Sequence, residues 1–244
     1  MSIRKSLLSL AAVLAFSGAA QANLVQNGDF ENTNMTSSAL FGSRMTDNVV
    51  DNWFAYGFTF LWLPGTAAST GATEDGGGTF KLWGPGTGVD NGFVDSPTGG
   101  NFIGGTGDYI NLPINQTITG LTIGEQYVLS FDWAGAQQTD HYGAQTEGWT
   151  AILGDQTFNT EMISNPEQGF QAWRNQTFTF TATAVTEVLT FIAQGTPDGA
   201  PPVSLLDNVQ LNAVNHVPEP GSLALIGAAL GALGLSRRRK QASA

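Results

Sequence analysis

Large apolar residues fall on alternate positions through Tyr127, Leu129, Phe131 and Trp133, with Val128, Ser130 and Asp132 between them, the period of a strand with one buried face. Residues 173–182 repeat the pattern, with Thr177, Thr179 and Thr181 alternating against Phe178 and Phe180. Shorter runs of the same kind at residues 24–31, 49–63, 101–104, 109–118, 148–153, 188–193 and 203–211 are bounded by Gly, Asn, Asp and Pro, the residues that build turns. No stretch between the two chain ends keeps a helical period over ten or more residues. The pattern predicts an all-β sandwich of about ten strands. Residues 67–78 and 84–100 are rich in glycine and read as long loops, a length that is usually either functional or mobile.

The two ends break the pattern. Residues 1–22 run from Arg4 and Lys5 through an apolar stretch at 7–16 to Ala20-Gln21-Ala22, a small-x-small cleavage site. These are the features of a secretory signal peptide, which implies export through the Sec translocon and a mature chain starting at Asn23. At the other end, residues 213–220 form a linker closing on Pro218-Glu219-Pro220, and residues 221–240 hold an apolar run followed by Arg237, Arg238, Arg239 and Lys240. The apolar run is short against the roughly 20 residues that cross a bilayer, but snorkelling arginines extend it, so a single transmembrane helix is expected. The four cations stay on the cytoplasmic side by the positive-inside rule, leaving the residues before Pro220 outside.

That order of Pro-Glu-Pro, Gly/Ala/Leu-rich helix and Arg-rich end resembles the PEP-CTERM sorting signal of Gram-negative bacteria. The resemblance implies recognition and cleavage near Pro218-Glu219-Pro220 by an exosortase, and a destination at the cell surface or in the extracellular matrix of an organism that makes exopolysaccharide. An ordinary C-terminal membrane anchor, with the prolines as a stiff linker, is the alternative.

Charge then narrows the partners. Between the leader and the basic end only Arg44, Lys81 and Arg174 stand against the twenty acids, a net charge of minus 17. Such a chain repels nucleic acid and anionic lipid, whereas neutral glycans and divalent cations remain compatible. Without cysteine there is no disulfide, so stability rests on the core of the domain at residues 23–212 and on any bound metal.

Three segments carry a second resemblance. Residues 23–31 (NLVQNGDFE), 118–132 (ITGLTIGEQYVLSFD) and 206–211 (LDNVQL) are similar to the first, middle and last strands of galactose-binding-like jelly rolls, a group that includes carbohydrate-binding modules. The resemblance implies a jelly-roll sandwich whose first and last strands lie together and share a structural calcium ion. Carried to this chain, it places Glu31 and Asp207 among the carboxylate ligands, with Asp29 giving its carbonyl or side chain. Asp207 has the strand parity of Leu205, Val209 and Leu211, so its carboxylate is expected to point inward, where a charge needs a partner. The same residues also fit a turn or bulge at Asp207-Asn208 and a turn capped by Asp29.

The only histidines are His141 and His216, and no GxSxG, HExxH, P-loop or EF-hand pattern occurs. Carboxylates such as Asp132, Glu147 and Asp155 would support a glycosidase only if two faced each other across a cleft. A non-enzymatic protein is the expectation, structural or adhesive and associated with extracellular polysaccharide; a specific carbohydrate-binding module is the rival. Tyr142, Trp149 and Trp173 are the candidate sugar-stacking rings, although tryptophans in a cysteine-free sandwich are mostly core. An exposed row of aromatics would favour the rival; a face of Thr, Ser and Asn alone would favour the structural reading.

Overall fold

The structure, a computed structural model, describes residues 23–41, 49–197 and 201–214. The signal peptide, the sorting signal and the transmembrane segment expected from the sequence lie outside the described residues. Among the described residues no helix is long and apolar enough to cross a membrane.

The strands are β1 (Ala39–Leu40), β2 (Phe54–Ala55), β3 (Thr59–Trp62), β4 (Ala72–Thr73), β5 (Thr79–Phe80), β6 (Phe102–Thr106), β7 (Ile114–Thr119), β8 (Gln126–Gln137), β9 (Gln145–Leu153), β10 (Gln156–Asn159), β11 (Ile163–Asn165), β12 (Phe170–Thr181), β13 (Thr186–Thr196) and β14 (Pro202–Ala213). They form an all-β sandwich of the jelly-roll kind. One sheet runs β12-β8-β14-β6-β3-β1-β4-β5 and the other β10-β9-β13-β7-β2, with β11 on the edge of β9. All pairings are antiparallel except β1 with β4.

The strongest alternations build the centre. Leu129, Phe131 and Trp133 of β8 face Trp149, Ala151 and Leu153 of β9 and Leu189 and Phe191 of β13 across the inter-sheet core. The Phe191 ring meets Phe131 at 5.1 Å and Trp149 at 6.0 Å, both edge to face, the arrangement favoured by ring quadrupoles.

A second core lies on the outer face of the larger sheet. Phe60, Trp62, Phe102, Ala134, Ala136, Val203 and Leu205 point away from the sandwich and are covered by Ala67, Ala68, Phe80, Leu82 and Phe93. The Gly-rich stretches at 67–78 and 84–100 therefore form a layer sealing that face, which is why β3 and β6 are buried on both sides. Backbone bonds from Leu82 to Ala67 (2.9 Å), from Trp83 to Gln137 (2.9 Å) and from Thr139 to Lys81 (2.8 Å) tie the layer down. Gly104 makes room for it: a Cβ there would stand 2.6 Å from the Trp62 ring.

Two expectations change in detail. Residues 24–31 do not form a ladder strand but run beside the last one, through Leu24 N–H to Leu211 O (2.9 Å) and Val209 N–H to Gly28 O (2.8 Å). Residues 109–113 form an irregular connection after β6, and β7 begins only at Ile114.

Candidate functional site

The sealed outer face holds the most unusual acid. Asn208 adopts φ 52° in a bulge between Asp207 and Gln210. The bulge shifts the parity of β14, so that Leu206, Val209 and Leu211 enter the inter-sheet core while Asp207 stays with Leu205 on the outer side. The inward carboxylate expected from alternation is thus fully buried, but under the loop layer rather than between the sheets. Its oxygens accept from the hydroxyls of Ser96 and Thr98 and from Asn208 N–H at 2.7 Å. Burial pushes its pKa up to about 6 against these bonds, and the charge of Asp132, its register partner on β8, adds to the rise.

Glu31 grips the other end of the same loop. Its Oε1 accepts from Asn101 N–H at 2.5 Å, and the Asn101 side chain donates to Phe30 O at 3.1 Å. The first segment, the last strand and the loop at 96–101 therefore meet in one place. Asp29 is exposed, and its carboxylate reaches only the backbone N–H of Glu31 at 3.5 Å, as in a turn. Among the described residues no group of three or more acids or histidines is placed to hold a metal ion, so Asp29, Glu31 and Asp207 do not make a three-carboxylate cage. What is present is two carboxylates, one from the first segment and one from β14, each accepting hydrogen bonds from the loop at 96–101.

The three candidate stacking rings do not share a platform. Trp149 is fully buried, its indole N–H donating to Leu205 O at 3.0 Å, because the alternation of β9 carries it into the core. Trp173 is half-buried, edge-on to Phe102 at 5.6 Å, and its indole N–H holds Val94 O at 3.1 Å, pinning the loop layer. Tyr142 is 59% exposed and lies 6.0 Å from Trp83. Between the two glycine-rich stretches an open cleft of about 290 Å³ is lined by Gly65, Ala68, Ser69, Pro85, Phe93 and Val94, among others. Beyond the layer, the outer face at β12, β8 and β14 presents Asn175, Thr177, Thr179, Ser130, Gln210 and Asn212, with no aromatic ring in that set.

Of the three carboxylates considered for catalysis, Asp155 is exposed in the turn between β9 and β10, and the other two are sealed or engaged. Glu147 is fully buried between the sheets, where burial pushes its pKa to about 8 and a bond from Asn165 at 3.2 Å only partly offsets it. Asp132 accepts from Asn175 and Asn208, each at 2.9 Å. His141 Nδ1 lies 3.1 Å from Thr139 O in the loop after β8.

The last strand ends at Ala213, and the chain continues directly into residues matched by a family model described as the PEP-CTERM protein-sorting motif, at 216–240. The chain carries a PEP-CTERM sorting motif. It takes in Pro218, Glu219, Pro220 and the basic cluster from Arg237 to the end of the match at Lys240. A curated relative of the chain is halomucin of Haloquadratum walsbyi, 29% identical over 223 residues; the match covers 84% of this chain but 2% of that protein. Solved structures with a similar fold include TmCBM61 in complex with β-1,4-galactotriose (TM-score 0.43, 11% identity, covering 79% of this chain and 99% of that one). The CBM22-1 xylan-binding domain from Paenibacillus barcinonensis Xyn10C gives 0.38 and 12%, covering 82% and 100%. The K1 cleaved adhesin domain of Lys-gingipain from Porphyromonas gingivalis gives 0.41 and 12%, covering 77% and 96%.

Proposed function

We propose that this is an exported, exosortase-processed protein of the cell surface or extracellular matrix, in which a rigid, non-catalytic sandwich serves a structural or adhesive role beside extracellular polysaccharide. The observation that carries the reading is the PEP-CTERM motif at 216–240, following the last strand after a two-residue gap. The uncovered Thr, Ser, Asn and Gln strip on the larger sheet supports the structural over the module reading, because a dedicated module would present a row of rings there. Calcium belongs to this proposal as a structural ion. Glu31 and Asp207 would hold it together with neutral oxygens of the loop at 96–101, and it would supply the positive charge that a buried acid beside Asp132 otherwise lacks. The test is fractionation of the source bacterium: the mature protein should sediment with the polysaccharide matrix and move to the free medium when polysaccharide synthesis is blocked. Retention in the cytoplasm, or a distribution unchanged by the loss of polysaccharide, contradicts the reading.

A further inference from the structure

The smaller sheet has one face in the core and one open. Registers place its outward residues in rows. Phe54 of β2 stands beside Asn115 of β7, Asn115 beside Thr190 of β13, Thr190 beside Ile152 of β9, and Ile152 beside Thr157 of β10. One row thus crosses five strands, about 19 Å at the usual interstrand spacing. The next row carries Ile192, Thr150 and Asn159, and a further one Thr196, Thr146 and Ser164. On the other side lie Thr117 with Val188 and Thr119 with Thr186.

None of these outward positions is charged. The two acids within the strands of this sheet, Glu147 and Glu187, are buried on the inward side, the first among core residues and the second against the turn at Thr183 and Ala184. Five strands whose outward positions carry no acid stand out on a chain of net charge minus 17 outside its leader and basic end. Its side chains alternate hydroxyl or amide groups with methyl-bearing ones, and Phe54, 48% exposed, stands at the edge. Neighbouring hydroxyls are held in place: Thr146 and Thr196 Oγ1 are 2.7 Å apart, and Thr150 donates to Asn159 Oδ1 at 2.6 Å.

We infer that this open face is a docking surface for a neutral polysaccharide, lying along the rows that lead from Phe54 to Thr157. Charge selects the occupant. A second copy or an anionic polymer would bring its own negative charge against the acidic body, whereas an uncharged glycan meets only hydroxyls, amides and methyls. Thr, Asn and Gln side chains pair with sugar hydroxyls, while Val188, Ile152, Ile192 and the Phe54 ring meet the C–H faces. The inference deepens the surface-matrix reading and rests on it for the identity of the glycan.

The test uses the mature protein purified from its source and that organism's own exopolysaccharide, separated by anion exchange into neutral and acidic fractions. Affinity electrophoresis should show retardation by the neutral fraction and at least tenfold weaker retardation by the acidic one. Thr150→Asp with Thr190→Asp, and separately Phe54→Ser, should weaken binding to the neutral fraction at least tenfold. Thr177→Asp with Thr179→Asp, on the opposite sheet, should leave it unchanged, all variants being matched by melting temperature. The inference is overturned if the neutral fraction does not retard the wild type, if the acidic fraction does so equally, or if both double variants behave alike. It is also overturned if sedimentation shows a dimer that only the Thr150/Thr190 variant dissociates, which would give the face to a second copy. Matrix fractionation is independent of these outcomes: a protein that stays with the matrix yet shows no neutral-glycan binding sinks the docking surface and leaves the surface role standing.

Discussion

The Ser96 hydroxyl donates to the fully buried carboxylate of Asp207, joining the loop layer to the last strand under the cover of that layer. With Glu31 holding Asn101 five residues further on, one loop fixes the segment at 23–31 to the last strand. A cation between these acids would act on the junction that closes the sandwich, so its effect belongs to stability rather than to chemistry.

Calcium added to the EDTA-stripped mature protein is expected to raise the melting temperature. A ligand at a hundred times its Kd stabilises by about 2.7 kcal/mol, or about 5–10 °C for a domain of this size. Asp207→Asn and Glu31→Gln should each abolish the increment. A calcium-independent melting temperature in the wild type would remove the metal from the account.

Glu147 sets a pH dependence of definite sign. Its pKa is raised from 4.5 to about 8 in the folded state by burial, so the folded protein holds the proton more tightly. The stability associated with it is fully present below about pH 4.5 and is lost as pH rises through about 8. Asp207 acts in the same direction between 3.8 and about 6 when no metal is bound. Melting in EDTA from pH 6.5 to 9 should therefore fall with pH, and Glu147→Gln, which keeps an acceptor for Asn165, should flatten the fall by about 2 kcal/mol. Parallel curves for wild type and variant would contradict the assignment.

Two rings considered together in the sequence should separate sharply on substitution. Trp149→Ala removes a fully buried indole that bonds Leu205 and abuts Phe191, at a cost of about 3–5 kcal/mol. Tyr142→Ala, at an exposed loop position, should stay within about 0.5 kcal/mol. Denaturant unfolding of both checks the contrast, and equal losses would place Tyr142 in the core.

The long strands were legible because their alternation is strict. Leu129, Phe131 and Trp133 announce β8, and Phe178 and Phe180 announce β12, since one of their faces meets a single core. The strands buried on both sides were legible only as apolar runs, and the two-residue strands β1, β4 and β5 have no period to read. The loop layer was the larger loss. Ala67, Ala68, Leu82 and Phe93 are spaced by glycines without periodicity, yet they cover the part of the larger sheet's outer face built by β3, β6 and the adjoining ends of β8 and β14. At the candidate site the pairing of Glu31 with Asp207 came from resemblance; alternation alone grouped Asp207 with Val209 and Leu211, and the bulge that the Asp207-Asn208 pair also fitted is what parts them. The uncharged open face needed the registers, since its residues come from five separated segments.

The central claim is that this sandwich is delivered to the cell exterior by its sorting motif, and intact mass with location in the native host tests it most directly. The account predicts that the wild-type protein loses residues 1–22 and the segment after Pro218-Glu219-Pro220 and is found outside the inner membrane, while the variant with those three residues replaced by alanine keeps its C-terminus and stays there. If both proteins keep the full C-terminus and remain in the inner membrane, the tail is only an anchor and the surface-matrix account is contradicted.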